Sequence, residues 1–326
     1  MNKTIKILIN NKNFEQRVDI YLTNKINYLT RSYIKKLITQ NSLIINGITN
    51  NSPSTKVKTG DEISLYIAKK KNDKLIPKKI NLDIVFEDKD ILIINKPKGM
   101  VVHPGAGNKN NTLANALAFK YKKNLSDLNG ELRPGIVHRI DKETSGIIVI
   151  AKNNLAHSHL GYQFSNHNIK RSYKCLVWGV IRPLAGRIET LITRHKKNRQ
   201  LMTVSDFRGK KAITNYKTIK TFSIKDIPKI SLIECKLETG RTHQIRVHLK
   251  YLGSPILGDK QYGVKNKKFK KVNRLFLKEL ENIKGQALHA QTLEFIHPTK
   301  KKWMKFDSNL PKDFKKMLNL LNKLAY

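Results

Sequence analysis

The run Arg133-Pro-Gly-Ile-Val-His-Arg-Ile-Asp141-Lys-Glu-Thr-Ser-Gly-Ile-Ile-Val-Ile-Ala-Lys152 decides how this chain is read. Gly146 to Ala151 is an Ile- and Val-rich segment of strand length, and it follows a polar turn holding His138, Arg139, Asp141, Glu143, Thr144 and Ser145. Polar groups at the mouth of an apolar strand are where sites are built. Asp141 stands two residues after Arg139, so extended backbone would point both side chains to one face, a cation beside a carboxylate. Such a pair is either a structural ion pair or an active carboxylate with a guanidinium over its substrate.

Upstream, Leu82 to Asn95 is two apolar runs around a polar turn, the pattern of a hairpin. It delivers Lys96-Pro-Lys-Gly99 and Val102 to Gly107, a loop whose Gly and Pro residues let backbone approach a ligand but which lacks the spacing of a triphosphate-binding loop. Thr112 to Lys122 follows as a capped helix. Downstream, Asn154 to Phe164 fits a helix, Lys170 to Gly179 a strand containing Tyr173, and 214–220 and 230–238 alternate as half-buried strands. These lead to Leu237-Glu-Thr-Gly-Arg-Thr-His-Gln-Ile-Arg-Val-His-Leu249, where a Gly turn should start a helix with Arg246 in its second turn. Strands at 287–295 and 303–306 and a terminal helix at 311–324 complete the larger part.

At the N-terminal end, residues 1–12 read as a short strand or a disordered lead. Helical spacing from Gln16 to Leu22 and a basic amphipathic helix at 30–38, capped by Thr30, are followed by a strand ending at Asn46-Gly47 and by a turn entering a second strand at 58–67. Lys69 to Lys79 has no periodicity and is dominated by charge, so it reads as a linker.

His138-Arg-Ile-Asp-Lys-Glu-Thr-Ser-Gly146 resembles the signature of the RluA-type pseudouridine synthases, usually His-Arg-Leu-Asp-x-x-Thr-Ser-Gly, with Ile140 and Glu143 as conservative departures. Residues 91–107 and 237–249 resemble the family's other two blocks, in the family's order. Residues 16–68 resemble the S4 RNA-binding module, in which Arg31, Lys35 and Lys36 would face RNA. The resemblance implies an α+β protein: a small S4-like domain at 16–68, a linker at 69–79, and at 80–326 a synthase domain with a mixed, mainly antiparallel sheet flanked by helices. It also implies an isomerase that turns uridine into pseudouridine in large-subunit ribosomal RNA, with transfer RNA as the alternative substrate. Asp141 would be the catalytic carboxylate, Arg246 its partner, Tyr173 the wall of the uracil pocket, and Arg139 the side chain that fills the gap left by a flipped-out uridine. His138 and Arg241, in the same blocks, are expected to contact the RNA substrate, and Lys96 and Lys142 to hold phosphates without sequence readout. No cofactor is needed for a redox-neutral isomerisation.

Two other classes are consistent with parts of this pattern. A non-catalytic RNA-binding or ribosome-assembly protein would share the S4-like module but would not need Asp141, Tyr173 and Arg246 together. An aspartate-dependent hydrolase of nucleic acid would want a second carboxylate or metal ligands, and Glu143 is the only acid near Asp141 in sequence.

Composition agrees with a nucleic-acid partner. The 326 residues suffice for a large domain and a small one, and the formal net charge of +40 attracts polyanions. Lysine far outnumbers arginine, so positions that keep arginine, among them Arg139, Arg171, Arg241 and Arg246, are expected to need its planar fork. Runs such as Lys265 to Lys271 read instead as compositional drift. The two cysteines, Cys175 and Cys235, lack the spacing of a zinc site or disulfide framework and are expected to be buried thiols. His157 and His159 suggest no metal, and none is expected. With no apolar leader and no long apolar span, the expectation is a cytoplasmic monomer without membrane contact. RNA affinity should fall at least about tenfold between roughly 50 and 200 mM salt, because binding by a surface of this charge releases condensed counterions. Titrating the same RNA across that range checks it, and a constant affinity would count against a nucleic-acid partner.

Overall fold

The structure, a computed structural model, describes residues 3–10, 14–26, 29, 31–67, 74–105, 107–264 and 273–325. It divides into two units, at 1–73 and 74–326.

In the first unit, β1 (Lys3–Leu8), β2 (Glu15–Arg17), α1 (Val18–Lys25), α2 (Arg31–Thr39), β3 (Leu43–Ile45), β4 (Ile48–Asn50), β5 (Lys56–Lys58) and β6 (Glu62–Ile67) follow in order. The Asn46-Gly47 turn between β3 and β4 has positive φ at both residues, the twist a tight hairpin requires. The structure extends this unit beyond the boundary at residue 16, because β1 pairs antiparallel with β6 from Lys3↔Ile67 to Leu8↔Glu62 and so closes one edge of a four-stranded sheet. Helix α2 presents Ile34, Leu37 and Ile38 to a core shared with Leu22, Leu43 and Leu65; its expected cap, Thr30, lies outside the described residues.

Two of the expected RNA contacts in this unit have another role. Asp19 is fully buried, and the Arg31 fork hydrogen-bonds its Oδ2 at 3.0 and 2.9 Å, with Arg17 at 3.1 Å and Lys35 at 3.5 Å. Burial works against its charge, yet the Arg17 and Arg31 hydrogen bonds bring its carboxyl down to about 2. Arg31 and Lys35 therefore tie α2 to α1, and of the three basic residues only Lys36 is exposed without an acidic partner among the described residues.

The second unit is organised around β9 (Ser145–Ala151), every residue of which is buried. Ile147, Val149 and Ala151 enter one core and Ile148 and Ile150 another, and the neighbouring β8 (Ile91–Lys96) alternates in the same way. A strand covered on both faces needs a continuous apolar run, which is why this segment shows no polar alternation. The remaining strands are β7 (Ile84–Glu87), β10 (Lys170–Trp178), β11 (Ala185–Arg194), β12 (Met202–Ser205), β13 (Lys210–Ile224), β14 (Ile227–Leu237), β15 (Leu288–Ile296) and β16 (Trp303–Asp307). They form a ten-stranded sheet in the order β12-β11-β13-β14-β10-β15-β9-β8-β7, with β16 also on β15. Among the named strands only β9 and β15 pair in parallel, so the sheet is mixed and mainly antiparallel.

That parallel contact is short and close. It runs His289↔Ser145 and Ala290↔Gly146, and a Cβ on Gly146 would lie 2.1 Å from the Ala290 carbonyl oxygen. Gly146, with φ of +117°, is the residue that lets the two backbones approach. Helices α3 (Leu113–Tyr121), α4 (Asn154–Ser165), α5 (Gln244–Tyr251), α6 (Arg274–Asn282) and α7 (Lys312–Leu324) complete the unit. Strands β11 and β12 and helix α6 fall in stretches left unassigned above, and Lys265 to Lys271 lie outside the described residues.

Of the segment read as a linker, 69–73 lie outside the described residues and 74–79 belong to the larger unit. Leu75 and Ile80 pack on the core of β8, β9 and α3, the Ile76 carbonyl accepts from buried Asn115 Nδ2 at 2.7 Å, and Lys78 N–H donates to the Asn115 carbonyl at 3.0 Å. A chain beginning at residue 74 is expected to fold, and one beginning at residue 80 to be less stable by about 2–4 kcal/mol, since Leu75 is lost and a buried amide loses its acceptor. Comparing the two denaturant midpoints tests it; equal midpoints would return 74–79 to the linker.

Candidate active site

A cleft of about 500 Å³ opens beside the turn that precedes β9, with Asp141, Thr144, Tyr173, Arg241, His243 and Arg246 among its lining residues. Its volume is within the ~300–1,000 Å³ typical of ligand sites. Asp141 is its only acid among the described residues, while Arg139, Arg171, Arg241 and Arg246 all line it.

The Asp141 turn is held from both sides. Thr144 N–H donates to the Asp141 carbonyl at 3.1 Å, and Ile140 is buried in the core beneath. His138 points back along β9, where its Nε2 accepts the Val149 N–H at 3.0 Å and its ring stacks on Phe164 at 4.6 Å. Burial, with Arg171 adding repulsion, pushes His138 down to about 3, so it is a neutral ring fixing the turn to the strand.

Asp141 receives Arg246 Nη1 at 3.1 Å, with His243 Nε2 3.9 Å away. Arg139, two residues away in sequence, is not its partner: it is exposed and reaches His103 Nε2 at 3.5 Å. Two residues apart puts side chains on one face only in regular extended backbone, and this segment is a turn.

Arg246 is buried and its other donors are occupied. Nε and Nη2 form a fork onto Asp259 at 2.7 and 2.9 Å, Nη2 also reaches Gln261 at 2.8 Å, and the guanidinium lies 4.8 Å from the centre of the Tyr262 ring. Helix α5 begins at Gln244, so Arg246 falls in its first turn and not its second. The helix is anchored by two residues that sequence reasoning did not single out. Gln244 accepts from Thr239 and Arg241 N–H and donates to Ile213 and Thr214, while His248 bridges Thr214 at 2.9 Å and Thr190 at 3.0 Å. Asp259 and Tyr262 were likewise missed. Their signal was the Gly258-Asp-Lys-Gln-Tyr-Gly263 run, whose aspartate accepts the Gln261 and Tyr262 N–H groups in a side-chain turn.

Tyr173 reaches the cleft from β10 and is buried; burial raises its phenol above the ordinary value, so it is neutral. Arg241 anchors its Nε on the Lys211 carbonyl at 2.8 Å and lines the cleft.

The chain matches the family model for RNA pseudouridylate synthase over residues 90–251 and that for the S4 domain over residues 16–63. It is 43% identical to a ribosomal large subunit pseudouridine synthase D from Zymomonas mobilis, over 94% of this chain and 93% of that protein. The chain belongs to the RNA pseudouridine synthase family. An uncharacterized RNA pseudouridine synthase of Bacillus subtilis is 37% identical over 98% of both chains. Among solved structures, human RNA pseudouridylate synthase domain containing 4 is 26% identical with a TM-score of 0.57, covering 73% of this chain and 92% of that one. The protein is thus an RNA-acting isomerase of this family with an S4 domain at its N-terminal end. No helix among the described residues is long and apolar enough to cross a membrane.

Of the two lysines expected to hold phosphates, Lys96 does not. It is fully buried, and its Nζ donates to the carbonyls of Pro97, Met100 and Lys142 at 2.7, 2.9 and 3.2 Å, which binds the 97–100 loop to the Asp141 turn. Burial pushes its ammonium down to about 7 against the charges of Glu143 and Asp141. Lys142 keeps an exposed side chain. Lys96→Met is expected to lower stability by about 2–4 kcal/mol by stranding three carbonyls, while the salt dependence of RNA binding stays as in the parent. Thermal melts beside an RNA titration check this; a reduced salt slope with unchanged stability would restore the phosphate role.

Proposed function

We propose that the protein converts specific uridines of large-subunit ribosomal RNA to pseudouridine, with Asp141 acting on a uridine flipped out of the RNA into the cleft. The observation that carries this reading is the isolation of Asp141: one carboxylate among four arginines, held by an Arg246 whose remaining donors are taken by Asp259 and Gln261. The relatives named ribosomal large subunit pseudouridine synthase D, at 43% identity in Zymomonas mobilis and 42% in Buchnera aphidicola, support the choice of RNA.

The reaction breaks the N1–C1′ bond of uridine and forms a C5–C1′ bond, with the C5 proton lost and N1 protonated, so no electrons are exchanged with a cofactor. A carboxylate can serve it by attacking C1′ or by removing a proton, and both require the ionised form. Arg246 orients Asp141 and favours its charge. Tyr173, neutral and buried, forms an apolar wall for the detached uracil ring, and the closed side of the cleft keeps the base from diffusing away during its rotation. Base flipping is required because C1′ is otherwise hidden in a stacked helix. Arg139 is exposed and has no acidic partner among the described residues, which suits a side chain that occupies the vacated stack. Lys142, Arg241 and Lys36 supply phosphate contacts.

A hydrolase would need a second carboxylate or metal ligands in the cleft, and Glu143 is not among its lining residues. A purely structural RNA-binding role gives no reason to bury Arg246 and Asp259 beneath a partly exposed carboxylate.

Asp141→Asn should abolish pseudouridine formation by many powers of ten in single-turnover rate while RNA binding holds or tightens. Folding should survive, because Arg246 retains Asp259 and Gln261 when the Asp141 charge is removed. The measurements are single-turnover assays on ribosomal and transfer RNA, with binding and melting of the same variant. A rate within about tenfold of the parent, a change of only about 1.4 kcal/mol, would sink the role given to Asp141.

A further inference from the structure

Arg171 is the cation this mechanism leaves unused. It stands at the start of β10, two residues before Tyr173, and its guanidinium is buried except where it opens on the cleft. Its Nε has no hydrogen-bond partner, and no acid pairs with it among the described residues. The cleft's single carboxylate, Asp141, is already engaged by Arg246. Two neighbours hold the Arg171 side chain without neutralising it. The Phe164 ring lies 5.6 Å from its guanidinium carbon, and Gly240 leaves the space it occupies, since a Cβ there would lie 2.7 Å from Nη1.

A buried charge without a counter-ion costs several kcal/mol, and arginine does not escape that cost by losing its proton. Burial and the nearby Arg241 cation both act against the charge on Arg171. A second arginine beside an unpaired one raises the free protein's energy unless an anion comes to lie between them. Arg241 spends its Nε on the Lys211 carbonyl, which leaves its terminal nitrogens for the cleft.

We infer that Arg171 and Arg241 form a phosphate subsite that clamps one backbone phosphodiester next to the flipped uridine, the substrate supplying the counter-ion that the folded chain lacks. This rests on the RNA-modifying reading of the same cleft. A phosphodiester matches the planar fork of arginine, and its charge serves both cations at once. A neutral uracil carbonyl could accept a hydrogen bond here but would leave both charges uncompensated. Arg171 is then a substrate-binding and positioning residue, distinct from the groups around Asp141.

The test uses the full-length protein and stem-loops cut from large-subunit ribosomal RNA, each carrying one neutral methylphosphonate at a successive loop position. The parent should lose about ten- to a hundredfold in affinity at one position, as expected for charge-assisted hydrogen bonds to phosphate. Arg171→Met should show part of that loss on unmodified RNA, since Arg241 remains on the phosphate, and on the RNA neutralised at that position the two losses should combine to clearly less than their product. Arg171→Lys, which keeps the charge without the fork, should fall between. Arg171→Met should also melt no lower than the parent, because it removes an unpaired buried charge. Two outcomes would overturn the subsite: losses from the variant and from the methylphosphonate that multiply at every position, or an Arg171→Met protein that melts clearly below the parent, which would mean a partner within the protein. Should the parent form no pseudouridine on any of these RNAs, the activity reading fails, while the binding comparison still decides the phosphate contact.

Discussion

The fork that Arg246 makes onto Asp259 is the interaction on which the rest of the cleft depends. A buried guanidinium needs a counter-charge, and Asp259 provides it with two hydrogen bonds while Gln261 and the Tyr262 ring cover the remaining surface. One nitrogen is left over, and it points to Asp141. Because the fork consumes the flexibility of the long side chain, the remaining donor is fixed in direction before substrate arrives, which is what preorganisation requires. Asp141 can then keep part of its surface open to the cleft.

The sheet makes this geometry possible by bringing together segments far apart in the chain. The Asp141 turn enters β9, Tyr173 sits on β10, and α5 is pinned across β11 and β13 by Gln244 and His248. The close pairing of Gly146 with Ala290 joins the β9 side of the sheet to the β10 side through β15. Lys96 performs a comparable task at smaller scale, since three carbonyls gathered on one ammonium fasten the upstream loop to the turn. Charge in this protein thus has two separate uses. Buried cations such as Lys96 and Arg246 build the site, whereas exposed lysines provide a field for a polyanion.

Much was legible in the chain alone. Apolar runs of strand length marked β8 and β9, because strands covered on both faces must be continuously hydrophobic, and period-two alternation marked β13 and β14. The Asn46-Gly47 turn and the Thr112 cap were readable because their chemistry is local. So was the set of blocks carrying Asp141, Tyr173 and Arg246, which the fold brings to one cleft.

What residue type and spacing could not determine was partnership. Asp141 looked paired with Arg139 because the two are near in sequence, yet Arg246, 105 residues further on, holds it. Lys96 read as a phosphate contact and Arg31 and Lys35 as RNA contacts because lysine and arginine are usually solvated, but burial of Lys96 among carbonyls and the buried charge of Asp19 beside Arg31 and Lys35 made them fasteners. Asp259 gave little sign of its importance, since an aspartate in a glycine-bounded turn is ordinary until a guanidinium is packed on it. Local sequence determined the elements and the chemical groups available, because turns, caps and apolar periodicity act over a few residues. Tertiary structure alone decided which charges meet and which remain unpaired, because the energy of a charge depends on burial and on neighbours supplied by distant parts of the chain.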